Sequence, residues 1–263
     1  MNRTVLACCV ATGLMVAGCQ IAGSKGSVQK AAAKTPAANP ILEILRSVRT
    51  SDVADALDSM GYQQKYEMDP AMRPLFPGIH FVGIAHTAEY ETTDKALPAM
   101  KYEEFEKRQY LKGPQGLWHE PGEWGAPDQV LVIDAKRVPA GILGSNNTLN
   151  GRSKGVVGYV IDGTIRDSHE CTIQKTPGFC TVRSPAHPMG RLVGVSDNKP
   201  IKCAGVTVNP GDYIVADDDG VMVVPKDIAD EVAHRAKLIQ GADRPGRLKL
   251  YKKLGMPLDE TVQ

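Results

Sequence analysis

The chain has 263 residues, of which 42% are hydrophobic and 23% charged. That length and balance suit one globular domain of ordinary size plus an appendage, with enough apolar side chains for a real core. Its 31 basic and 30 acidic side chains leave a formal charge of +1, which excludes both the basic footprint that nucleic-acid binding needs and a charged tail.

Residues 1–18 read as an export signal: Asn2-Arg3 gives a short positive start, and the apolar stretch from Val5 to Ala17 is too short to span a bilayer. The stretch ends Leu14-Met-Val-Ala-Gly-Cys19 and resembles a bacterial lipobox, in which the cysteine is lipidated and becomes the new N-terminus. A buried first helix or an ordinary secretory signal is the plainer alternative. With Gln20 rather than Asp beside the cysteine, the expected location is extracytoplasmic, on the periplasmic side of the outer membrane, with the membrane met only through the lipid anchor. Residues 19–40 are rich in Ala, Lys, Ser and Gly and bury too little to fold, so they are expected to be a flexible tether. Export leaves Cys171, Cys180 and Cys203 in an oxidising compartment, where one disulfide, with Cys171 and Cys180 the nearer pair, or three free buried thiols are both open.

The folded domain is expected over 41–263. Ile41, Ile44, Leu45 and Val48 recur at helical spacing, and a second helix follows from Asp52 to Met60, with Ser51 as cap and Gly61 as end. Strands are expected at Gly78–Ala88, Val130–Ala135, Gly155–Ile161, Val206–Val208 and Val221–Val224, interleaved with helices, so the class is α/β. The last helix is expected after Pro225, with Asp227 as cap and Ile228, Val232, Arg235 and Ile239 on one face before Gly241. Residues 91–127 differ in composition, hold both tryptophans, Trp118 and Trp124, and read as an inserted helix and loop, either a lid or a solvated arm.

The chemistry concentrates in residues 155–167, where a buried β-branched strand runs into Asp-Gly and then delivers Arg166 and Asp167 side by side. A guanidinium suits a carboxylate gripped by two parallel bonds, and a neighbouring carboxylate suits a hard divalent cation that keeps most of its water. Taken alone, the dipeptide reads as a surface ion pair.

Its context changes that. The segment Val160-Ile-Asp-Gly-Thr-Ile-Arg-Asp167, the segment Val208-Asn-Pro-Gly-Asp-Tyr-Ile-Val-Ala-Asp-Asp-Asp-Gly-Val-Met-Val-Val-Pro225, the start Thr50-Ser-Asp-Val-Ala-Asp-Ala-Leu57, and Pro77-Gly with Val82-Gly-Ile-Ala-His-Thr87 together resemble the RraA-like / 4-hydroxy-4-methyl-2-oxoglutarate aldolase family. The resemblance covers about residues 42–240 without the insertion. It implies a swivelling β/β/α domain that assembles as a trimer or hexamer, with Mg2+ or Mn2+ as cofactor and active sites at subunit contacts. It further implies Asp167 as metal ligand, Arg166 as clamp on a small 2-oxoacid such as pyruvate or oxaloacetate, and the loop Gly144-Ser145-Asn146-Asn147 as an anion-binding turn. Glu170 falls where the family often has an acid that orients water.

One departure matters: catalytic members carry Asp or Glu where this chain has Ser145, and a hydroxyl cannot take up a proton as a carboxylate does. Two readings therefore stand. The first is a metal-dependent lyase that cleaves a C–C bond of a 2-oxoacid through a pyruvate enolate, as aldolase or oxaloacetate decarboxylase. The second is a non-catalytic RraA-like binding or regulatory protein of the cell envelope. A Schiff-base route would need a desolvated lysine, and Lys154, the nearest to the motif, carries no feature that marks it as one. His169 and His187 read as loop histidines, Asp217-Asp-Asp219 as a turn, and Asn146-Asn-Thr148 as an accidental glycosylation pattern.

Overall fold

The computed structural model describes residues 39–109 and 122–262; the expected signal, the lipidation site Cys19, the tether up to residue 38 and Trp118 lie outside them. Helices α1 (Pro40–Arg46) and α2 (Thr50–Ser59) open the domain. Strands β1 (Arg73–Pro74) and β2 (Phe81–Thr92), helix α3 (Tyr102–Gln109), strands β3 (Gln129–Asp134) and β4 (Gly141–Leu143), helix α4 (Ser145–Ser153) and strand β5 (Gly158–Ile165) follow. Helix α5 (Ser168–Ile173), strands β6 (Gly178–Val182), β7 (Leu192–Asp197), β8 (Ile201–Cys203), β9 (Val206–Val208), β10 (Tyr213–Asp217) and β11 (Gly220–Val224), and helix α6 (Ala229–Leu254) complete it.

Nine strands among the described residues form one sheet in the order β1-β6-β5-β3-β2-β10-β11, with β4 beside β5 and β7 beside β2; β8 and β9 pair separately. The centre is parallel, since β2, β3, β5, β4 and β6 run the same way, whereas β10, β11, β7 and β1 join antiparallel. Parallel strands are covered on both faces, and β5 is accordingly buried along its whole length. One face carries α1, α2 and α6, which pack Leu42, Leu45, Val53, Leu57, Val232 and Ala236 on Val215 and Val224. The opposite core joins β3, β5 and β6 to the small β8–β9 pair. The structure is thus the expected mixed α/β fold.

Local chemistry sets the element ends. Asn39 Oδ1 accepts from the N–H groups of Ile41 and Leu42 at 3.1 and 3.2 Å, and Pro40 fills the first helical position of α1. In α1 the buried residues are Leu42 and Leu45, joined by Val48 just past its end, with Ile41 and Ile44 only half-buried. Ser51 does not cap α2. Asp217 does so from a distant strand: its Oδ2 accepts from Thr50 N at 2.9 Å and its Oδ1 from Thr50 Oγ1 at 2.6 Å. Gly61 ends α2 as expected. Its φ of 83° closes a Schellman motif in which Tyr62 N donates to Leu57 O at 3.0 Å and Gly61 N to Asp58 O at 2.9 Å.

Two expectations differ. A short 3-10 turn over Lys226–Ile228 precedes α6, so Asp227 lies inside that turn and not at a cap. Helix α6 also continues through Gly241 and Pro245 to Leu254. Its last turns are tied to the C-terminal segment, where Arg247 donates to Thr261 O at 2.9 Å and Tyr251 to Asp259 at 3.2 Å. Cys171, Cys180 and Cys203 are free and buried.

Asp217→Ala removes two bonds at the start of α2 and is expected to lower the unfolding free energy by about 1–2 kcal/mol in urea titrations. Asp219→Ala, on the exposed side of the same turn, should stay within about 0.5 kcal/mol of wild type.

Candidate functional site

Strand β5 has different neighbours along its length. Gly158 to Asp162 pair with β3, and Thr164 and Ile165 pair with Gly141 and Leu143 of β4. Arg166 N continues that ladder by donating to Leu143 O at 2.9 Å. The chain then turns sharply. Asp167 adopts a left-handed conformation, φ 58° and ψ 43°, and its carbonyl accepts from Cys171 N at 2.9 Å to start α5. Aspartate tolerates this region better than most residues, at a cost of about 1 kcal/mol.

The turn brings the Asp167 carboxylate onto the junction of β4 and α4. Its Oδ2 accepts from Ser145 N at 3.0 Å, so one carboxylate oxygen caps the first N–H of α4. Two glycines make this approach possible. A Cβ on Gly144 would collide with Asp167 Oδ2, and one on Gly141 would stand 2.8 Å from Cβ, Cγ and Cδ of Arg166. The sequence pattern therefore needs Gly at both places because a side chain passes where theirs would be.

The ion pair itself is loose. Arg166 Nε lies 3.8 Å from Asp167 Oδ1, with the two side chains 31% and 37% exposed. A pair this open to water contributes little to stability, and neither group is consumed by the other. The ends of the Arg166 guanidinium find no acceptor among the described residues, an arrangement that suits an incoming anion. Asn146 and Asn147 occupy the first turn of α4 with exposed side chains, and their N–H groups precede the first intrahelical bond, from Thr148 N to Gly144 O at 3.1 Å.

Among the described residues no three His, Cys, Asp or Glu side chains converge on one point. The fit to a divalent cation therefore rests on the Oδ1 side of Asp167. One carboxylate oxygen on a partly exposed turn suits a hard cation that keeps most of its water, and does not suit zinc.

The other expected residues are placed as follows. Glu170 lies in the first turn of α5, exposed, with no hydrogen bond from its carboxylate to Asp167 or α4. His169 is exposed beside it. Asn147 also lines a separate cleft of about 620 Å3 with Trp124, Gln129, Asn150 and Lys154 on the flank of α4, away from Arg166. There Trp124 meets Tyr159 edge to face with centroids 6.4 Å apart, and Lys154 Nζ sits 5.9 Å from the Trp124 ring centre. Lys154 thus belongs to the cleft and not to the Arg166–Asp167 turn.

Two residues that the sequence offered only as a buried or paired thiol and as a loop histidine come near Arg166. The first is Cys171, whose buried Sγ donates to Arg166 O at 3.6 Å and whose thiol pKa is pushed up by burial. The second is His187. Ala186 O accepts from Gly141 N at 2.9 Å, which ties the Pro185–Pro188 segment to the glycine over which the Arg166 side chain passes. The chain reversal between β6 and β7 brings the His187 segment to β4, a separation no local pattern encodes.

Gly144→Ala forces Asp167 from its place on α4 and is expected to destabilise the fold by about 1–3 kcal/mol in chemical denaturation. Asp167→Ala should restore part of that loss in the double variant, because the colliding oxygen is gone.

A family model described as Aldolase/RraA matches residues 50–223. A protein of Halalkalibacterium halodurans provisionally named 4-hydroxy-4-methyl-2-oxoglutarate aldolase is 33% identical over 207 residues, covering 75% of this chain and 82% of its own. An uncharacterized protein from Pseudomonas syringae aligns with a TM-score of 0.66 at 25% identity over 87% of this chain and 100% of its own. A Streptomyces coelicolor protein, described as an unusual member of the ribonuclease ES inhibitor RraA family, aligns with a TM-score of 0.64 at 25% identity over 80% of this chain and 97% of its own. With its family match, its relatives and its fold in agreement, this chain belongs to the RraA-like family.

Proposed function

We propose that the chain is a divalent-metal-dependent lyase that cleaves a C–C bond of a small 2-oxoacid, of the 4-hydroxy-4-methyl-2-oxoglutarate aldolase or oxaloacetate decarboxylase type. The observation that carries this reading is the Arg166–Asp167 turn: a guanidinium with unengaged ends and a half-engaged carboxylate, side by side at the first turn of a helix. The provisional name of the 33%-identical relative supports the substrate class.

Each group has a distinct task in this reading. Arg166 grips the substrate carboxylate through paired charge-assisted bonds, and the N–H groups of Asn146 and Asn147 face its negative charge. Asp167 would hold Mg2+ or Mn2+, with its Oδ2 already fixed by the Ser145 N–H. When bound, such a cation supplies Lewis acidity at the 2-oxo group, where negative charge develops as the C–C bond breaks. The pyruvate enolate so released takes up a proton to give pyruvate. Ser145 cannot move that proton as an acid would, so Glu170 or an acid of a neighbouring subunit in a trimer or hexamer takes the role.

A second reading has a specific observation in its favour. The position where catalytic members hold an acid is Ser145, and its backbone N–H, not its side chain, bonds Asp167. A binding or regulatory protein of the envelope would need Arg166 and the α4 turn but no proton acceptor. We further propose that the chain lies outside the cytoplasm, anchored through Cys19 to the periplasmic side of the outer membrane, on the strength of the lipobox-like segment that ends at that cysteine.

Pyruvate release from oxaloacetate or 4-hydroxy-4-methyl-2-oxoglutarate should require Mg2+ or Mn2+ and stop with chelator. A wild type inert on both substrates that still binds pyruvate would favour the binding reading. Asp167→Asn keeps a residue tolerant of the left-handed turn and should lower cation affinity at least about tenfold in calorimetry with the melting temperature nearly unchanged. Unchanged affinity removes Asp167 from the metal site. Cys19→Ser is expected to shift the protein from the membrane to the soluble fraction, and persistent attachment would contradict the lipid anchor.

A further inference from the structure

The insertion after β2 has an unusual relation to the domain: α3 buries none of its residues, yet Phe105 at its centre meets the ring of His187 edge to face, with centroids 6.4 Å apart. His187 stands on the segment that Gly141 N holds through Ala186 O, and Gly141 in turn lies against the aliphatic part of Arg166. Phe105 thus meets the imidazole, and the backbone next to that imidazole is bonded to the glycine over which the Arg166 side chain passes. The imidazole is also oriented. Its Nδ1 accepts from Met189 N at 3.2 Å, so in the neutral ring the proton resides on Nε2, which finds no partner among the described residues.

We propose that His187 is a substrate-positioning residue whose Nε2–H and the Arg166 guanidinium grip the same small carboxylic acid, with Phe105 of the insertion backing the ring. This rests on the reading of Arg166 as the oxoacid clamp. The charges that act on the ring agree with it. Burial, Arg166 and Arg191 all hold the imidazole pKa below its ordinary value, which keeps the ring neutral and Nε2 protonated. Arg191 itself is occupied in part by donating to His187 O at 2.9 Å, so it braces the segment. A neutral imidazole beside an arginine donates a directed hydrogen bond without adding a second full charge, which selects for geometry as well as for charge. The insertion then sets specificity: by fixing the ring it fixes where the second donor stands, and hence the length of acid that reaches both groups.

Oxalate, a planar stand-in for a 2-oxoacid, serves as probe in titration calorimetry of the full-length protein with Mg2+ present. His187→Leu is expected to weaken oxalate about tenfold, and His187→Gln, whose amide also donates, to stay within about threefold of wild type, with both melting temperatures close to wild type. If His187→Leu binds as wild type does while Arg166→Ala loses binding, this inference fails and the clamp stands. Equal losses in the Leu and Gln variants with lowered melting temperatures make His187 a packing residue and overturn the inference. Wild type that does not bind oxalate overturns both proposals, as does Arg166→Ala that binds undiminished.

Discussion

The turn from β4 into α4 passes so close to the end of β5 that neither Gly141 nor Gly144 has room for a side chain, and this close approach organises everything around it. It lets Arg166 extend the β4 ladder, it lets Asp167 reach the first N–H of α4, and it leaves a loosely paired cation and anion facing outward. The strain of a left-handed aspartate is offset by the bond that conformation makes possible. A tighter ion pair would have been more stable and less useful, because each charge would then satisfy the other. At 3.8 Å and roughly one-third exposure, both charges remain available to ligands.

The rest of the domain supplies the rigidity that such a turn requires. Strands β3 and β5 are buried on both faces, so the strand that carries Arg166 cannot shift without disturbing the core. On the other face, α2 is capped by Asp217, a residue 167 positions further along the chain. That bond joins the first part of the domain to its last hairpin, and the acidic run does more than turn the chain.

Much of this was legible in residue order. The β-branched run before Arg166 announced a buried strand, and Gly61 announced the end of α2, because each depends on neighbours within a few residues. The left-handed Asp167 was not legible, since Asp is compatible with many conformations and only the distant Ser145 N–H selects this one. Helix α6 misled in the opposite sense. Gly241 and Pro245 carry stop signals that cost about 1 and 3 kcal/mol in an isolated helix, yet the helix persists where its last turns are tied to Asp259 and Thr261. His187 read as a loop histidine because the groups that reach it from elsewhere lie far off in the chain: Arg166 at the end of β5 and Phe105 in the insertion.

The turn after β3 holds a consequence of another kind. Lys136 and Arg137 are consecutive residues with φ of 53° and 55°, a pair of conformations that hairpins usually assign to Asn and Gly. Here they are kept by their acids: Lys136 by Asp134 at 2.6 Å and Glu89 at 2.8 Å, Arg137 by Asp69 at 2.6 Å and Asp162 at 3.0 Å. Replacing either by glycine would relax the backbone but release a tether, and replacing an acid would leave the strain without its restraint. The turn is therefore a set of mutually dependent parts. Changing one member alone strains or frees the others, and because the turn leads within four residues to Gly141, a disturbance there reaches the backbone on which Arg166 rests.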